Sequence, residues 1–141
     1  MIGMEILQPT IALMIWTMII WAWMYASRIP AMAKAEIAPD DAQMVGLLDQ
    51  KLPREVQWKA HNYNHLHEQP TVFYAVAIVL ALLGEGGGAN AFLAWIYVGL
   101  RVVHSVVQVT ANKVMVRFVL FALSSVVLIT LIAKAAFVAF A

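Results

Sequence analysis

The chain has 141 residues, of which 63% are hydrophobic and 12% charged, with no cysteine and a formal net charge of +1. With a mean hydropathy of +0.80, a water-soluble domain would lack the polar surface to cover itself, so the bilayer is the expected solvent. The small net charge argues against a nucleic-acid partner, and the absence of thiols excludes disulfides, thiolate metal sites and a cysteine nucleophile.

A membrane-spanning helix needs roughly 20 apolar residues, so the chain has room for four in a single domain, 1–141. The first is expected at about 6–27. Trp21, Trp23 and Tyr25 lie just before Arg28, as in an aromatic belt at one membrane interface. Ala31, Met32 and Ala33 resemble a cleavage site, but no positive charge precedes the apolar stretch and it exceeds a usual signal-peptide core, so a retained helix is expected. From 28 to 53 the chain turns polar, with Pro30, Pro39, Asp40, Asp41 and Asp49, and reads as an interfacial loop with room for one short helix.

The second helix is expected at 54–83, because Pro53 followed by Arg54 and Glu55 suits a first turn. Its apolar part, 71–83, is too short to span alone. The polar half, with His61, Asn64, His65, His67 and Glu68, must therefore enter the bilayer or its headgroup zone, and Pro70 is placed to kink the helix. "GEGGG" at 84–88 reads as a tight connection; it has neither the strand nor the Lys-Ser/Thr pair of a phosphate-cradling loop. Third and fourth helices follow at 89–110 and 114–140. Their β-branched content would favour strands in water, but in lipid every backbone group needs an internal partner and the helix wins. Arg28, Lys34, Lys51, Arg54 and Lys59 lie before or in the polar start of the second helix and Lys113 between the third and fourth, with none at 84–88, so the positive-inside rule assigns both basic ends to the cytoplasm, with both termini outside.

At 100° per residue, Tyr97, Arg101, His104, Ser105, Gln108 and Asn112 share one face of the third helix. The same arithmetic gathers Gln57, His61, Asn64, His67, Glu68 and Thr71 on the second. A charge deep in the bilayer costs about 2.5–3.5 kcal/mol on insertion scales, so these stripes should face each other rather than lipid. Two readings stand side by side. The stripes act as interhelical glue, or they line a site for a polar anion held by Arg101, Arg117 and Arg28. A metal reading through His61, His65, Glu68 and His104 is weaker, since four histidines are far fewer than histidine-rich membrane metal centres use, and no metal is expected. Ser105 beside His104 has no acidic orienter in its stripe, which argues against a serine triad. Lys134 is expected to snorkel to the interface from the last helix.

The element order, with four helices, a polar segment after the first and "NHLHEQP" (64–70) in the second, resembles the MAPEG family (membrane-associated proteins in eicosanoid and glutathione metabolism). "RVVHSVVQ" (101–108) is similar to the third-helix motif of its prostaglandin E synthase and microsomal glutathione transferase branches, and Arg117 falls where those members carry an arginine at the start of helix four. The resemblance implies an all-α, four-helix integral membrane bundle that forms a homotrimer in a bacterial inner membrane or an endomembrane. It also implies glutathione as co-substrate between neighbouring subunits, held by Arg28, Asn64, Glu68, Arg101, His104 and Gln108, with Arg117 stabilising the thiolate that attacks a hydrophobic electrophile or peroxide arriving from the lipid. Two departures stand out. His67 occupies the position of the family carboxylate, with Glu68 displaced by about 100° around the helix, and Gln108 replaces a tyrosine, offering an amide but no titratable hydroxyl. The alternative is therefore a non-catalytic member that binds lipid or scaffolds a membrane complex.

Overall fold

The computed structural model describes residues 3–38, 40 and 51–141. Among the described residues the chain is all helical, with α1 (Leu7–Lys34), α2 (Arg54–His65), α3 (Gln69–Leu82), α4 (Gly88–Thr110) and α5 (Val114–Phe140). The short helix expected between the first two long helices falls largely on 41–50, outside the described residues. α1, α4 and α5 are each long and apolar enough to cross a membrane. α3, with 14 residues, extends only about 21 Å at 1.5 Å per residue, short of a hydrocarbon core of about 30 Å. The polar α2 must supply the remaining depth.

α1 continues to Lys34, past the end expected near residue 27. Alanines and Met32 extend it as good helix formers, Pro30 is tolerated within it, and Lys34 in the last turn complements the helix dipole. Arg28 consequently sits on a helix rather than in a loop.

The second predicted helix is two. Residues 66–68 leave helical geometry, with Glu68 at φ −89°, ψ −96°. Pro70 supplies no N–H for the carbonyl of Leu66 and its ring would clash with that oxygen, so the break falls one turn upstream of the proline rather than at it. His67 N–H and Glu68 N–H close tight turns onto Asn64 and His65 carbonyls instead, and Pro70 becomes a first-turn residue of α3.

α3 ends in a Schellman turn. Gly84 at φ +77° allows Glu85 N–H to reach the Leu80 carbonyl at 2.8 Å and Gly84 N–H the Ala81 carbonyl at 3.1 Å. The N-terminal segment crosses this turn, where Gly3 N–H donates to Ala81 and Ile6 N–H to the Gly86 carbonyl. A Cβ at Gly3 would collide with the Gly86 backbone, so this crossing needs glycine.

Leu13 and Ile20 of α1, Phe73, Ala77 and Leu80 of α3, Ala94 and Tyr97 of α4 and Leu131 of α5 form the buried core. Phe73 stacks on Tyr97 with centroids 4.4 Å apart. Small residues at Ala77, Ala81, Ala91 and Ala94 let the backbones approach, which matters in lipid because close packing rather than water exclusion joins helices there. α4 packs most extensively along α5, α1 covers α2 and α4, and α3 leans on α5. Outward, Ile11, Met14, Ile15 and Met18 of α1 and Met115, Phe118, Val119 and Ile129 of α5 are exposed, as a lipid-facing surface should be.

Candidate functional site

α4 presents its polar stripe inward. Tyr97, Arg101, His104, Ser105 and Gln108 are all buried, Arg101 at 0% exposure. An arginine so placed needs partners, and the broken second helix supplies one. Arg101 Nη2 donates to the His65 carbonyl at 3.4 Å, at the C-terminal end of α2, where that oxygen also accepts the turn-closing Glu68 N–H. The guanidinium carbon also lies 5.9 Å from the Phe121 ring centroid, within cation–π range. Arg101 Nε and Nη1 have no hydrogen-bond partner.

His65 ties the cluster together. Its Nδ1 lies 3.2 Å from Glu68 Oε2, its ring is 4.8 Å from that of His104 and 5.7 Å from Phe121. Arg101 on α4 and Glu68 in the break thus meet through one residue, His65. His104 Nδ1 and Ser105 Oγ are buried without partners. Backbone carbonyls absorb the neighbouring hydroxyls of Ser124 and Ser125, whereas these two orphans mark unspent hydrogen-bonding capacity.

These groups border a cavity of about 370 Å³ lined by His61, His65, Glu68, His104, Gln108, Arg117, Phe118 and Phe121. That volume lies within the range of small-ligand sites. One wall is cationic and aromatic, from Arg117 and two phenylalanines; the other carries imidazoles and a carboxylate. Arg117 Nε is without a partner. Among the described residues no group of three His, Asp or Glu side chains is arranged to hold a metal.

The sequence-predicted residues divide in this frame. Glu68, His104, Gln108 and Arg117 line the cavity, and Arg101 lies behind it, joined through His65. Asn64 does not line it; in a single chain it lies on the exposed side of α2. Arg28 is on α1, away from the cavity wall, half-buried and with Nε unpartnered. The asparagine that faces α4 is Asn62, whose Nδ2 donates to Gln108 Oε1 at 2.8 Å with both side chains buried. The polar stripe assigned to the second helix meets the buried face of α2, which carries Gln57, Lys59, Ala60 and Asn62, at Gln57 and brings His61 and Glu68 to the cavity, whereas Asn64 and His67 are exposed. No sequence signal separates Asn62 from Asn64, since stepping back by threes and fours from Leu80, Ala77 and Phe73 crosses the break at 66–68, where helical phase is lost.

At the first residue after the break, Gln69 Nε2 donates to Ser125 Oγ at 2.8 Å and Tyr97 Oη donates to Gln69 Oε1 at 3.2 Å. This bridge joins α3, α4 and α5. Neither the curated proteins nor the solved structures contain a significant match to the chain. The model described as MAPEG family matches residues 6–137, taking in every helix that positions the cavity. That span, with three helices built for lipid, makes the chain an integral membrane protein that belongs to the MAPEG family.

Proposed function

We propose that this membrane protein is a glutathione-dependent transferase or peroxidase acting on hydrophobic electrophiles, and that it works as a homotrimer. The observation that carries the reading is the convergence on one cavity of two arginines with unpartnered N–H groups, Arg117 in its lining beside His65 and Glu68 and Arg101 behind it on the His65 carbonyl. A tripeptide bearing two carboxylates and one ammonium suits that set, since guanidinium forks match carboxylates and gain strength away from bulk water, while Glu68 offers a counter-ion for the amine. Glutathione would supply the thiol that acts as nucleophile or reductant.

In this reading Arg117 favours the thiolate electrostatically, and Arg101, His104 and Gln108 orient the peptide, with the Asn62 bond fixing the Gln108 amide so that its NH₂ points to ligand. Phe118 and Phe121 form the greasy side on which an electrophile from the bilayer would settle. Asn64 and Arg28 would contribute from an adjoining subunit, which accounts for their position away from the cavity in a single chain.

Purified protein mixed with glutathione should develop ultraviolet thiolate absorbance and consume a model aryl halide, and Arg117→Ala should weaken both. Absence of both signals from the unaltered protein would reject the enzyme reading. A second reading, a non-catalytic lipid-binding or scaffold subunit, is favoured by one feature: Gln108 has no titratable hydroxyl and its carbonyl is already engaged by Asn62.

A further inference from the structure

A second polar cavity lies at the opposite end of the same helix pair. Arg117 and Lys134 are both on α5, and the 17 residues separating them correspond to about 25 Å at 1.5 Å per residue, nearly the depth of a hydrocarbon core. Around Lys134, a cavity of about 360 Å³ is lined by Glu85, Asn90, Thr130, Lys134, Phe137 and Val138. Snorkelling explains a lysine near a helix end. It does not explain why an acid and a buried acceptor share the lysine's cavity.

The chemistry on the two sides is complementary to a zwitterion. Lys134 is exposed and Glu85 is exposed, yet no ion pair joins them among the described residues, so opposite charges face one cavity without meeting. Asn90 is 92% buried by its 8% exposure. Its Nδ2 is committed to the Glu85 carbonyl at 2.7 Å, and its Oδ1 has no partner, leaving an acceptor that only a donor can satisfy. Thr130 Oγ1 spends its proton on the Val126 carbonyl and is likewise left as an acceptor. Phe137 and Val138 are exposed on the lipid side, continuous with the surface that acyl chains cover.

We propose that this cavity binds the headgroup of an aminophospholipid in the leaflet opposite the glutathione site, with phosphate at Lys134, the primary ammonium between Glu85 and Asn90 Oδ1, and an acyl chain along Phe137 and Val138. An anionic lipid would satisfy Lys134 but leave Glu85 and the Asn90 acceptor without a donor. A choline headgroup carries the same charges, but its methyl groups remove the N–H donors.

The test is native mass spectrometry of the detergent-purified protein offered equal amounts of dioleoyl phosphatidylethanolamine, phosphatidylcholine and phosphatidylglycerol. Phosphatidylethanolamine should be retained roughly 3–10-fold over either competitor, the ratio that one or two net hydrogen bonds supply. Glu85→Gln should lower the preference over phosphatidylcholine several-fold while Lys134→Met lowers retention of all three; both positions are exposed, so neither change removes a core contact. Equal retention of the three lipids, or a preference unchanged by Glu85→Gln, overturns the proposal. Soluble glycerophosphoethanolamine displacing the lipid at equal concentration would overturn the assignment to a membrane source. None of these readouts depends on activity at the Arg117 cavity.

Discussion

The middle of the bundle and its Arg101 end are built from the same helices but settle their polar groups differently. In the middle, the polar side chains that join the helices are matched, Trp16 Nε1 of α1 excepted: Gln69 takes Ser125 and Tyr97, Ser125 reaches the Phe121 carbonyl, and the rest of the layer is Phe73, Ala77, Leu80, Ala94 and Leu131. At the Arg101 end, Arg101 Nε and Nη1, His104 Nδ1, Ser105 Oγ and Asn62 Oδ1 are buried without partners. Unmatched buried polar atoms are costly, so their concentration at one end marks a place organised around something that supplies the missing partners. The matched layer stabilises the bundle, and the unmatched layer is where the proposed chemistry would sit.

That contrast can be broken from either side. The largest effect is expected from Phe73→Ala in the matched layer, which removes the ring stacked on Tyr97 and should cost about 3 kcal/mol of stability, read by denaturant titration in mixed micelles, with residual thiol binding scaling only with the folded fraction. Next comes Arg117→Ala in the unmatched layer. Loss of an electrostatic stabiliser of a developing anion should lower aryl-halide conjugation about 100-fold while leaving the unfolding midpoint in place, and equal losses of stability and rate would erase the distinction between layers.

Smaller changes sharpen the boundary. Asn62→Ala leaves Gln108 Oε1 buried without its donor and should cost about 1–3 kcal/mol; a double-mutant cycle with Gln108→Ala should recover a coupling of about 1 kcal/mol, and no coupling would show that the bond does not hold α2 to α4. The smallest stability effect belongs to Asn64→Ala, within about 0.5 kcal/mol for an exposed site. If that variant nevertheless weakens glutathione retention in equilibrium dialysis, Asn64 acts across a subunit boundary; unchanged retention would confine the site to one chain.

Much of this architecture was legible beforehand because it rests on local physics. Composition identified the solvent, the turn chemistry of Gly84 marked the end of α3, and a 3.6-residue period along α4 gathered Tyr97, Arg101, His104, Ser105 and Gln108 onto a face that is indeed buried. An uninterrupted helix preserves phase, so residues four apart stay aligned over several turns. The second helix did not allow that inference, since its phase is interrupted at 66–68 and its polar half has no apolar pattern to orient it.

Tertiary packing decided what the pattern left open. Whether Asn62 or Asn64 faces α4 is a question of 200° of rotation, answered by docking α2 against α1 and α4 rather than by any preference of the residues themselves. Only the assembled bundle shows that Pro70 releases the turn before it, that the His65 carbonyl, already accepting from Glu68 N–H, also lies where Arg101 reaches it, and that Arg117 and Glu68 border one cavity. Side-chain type and spacing set which groups cannot face lipid; which of them meet depends on helix rotation and on breaks in helical phase, and those are properties of the packed bundle.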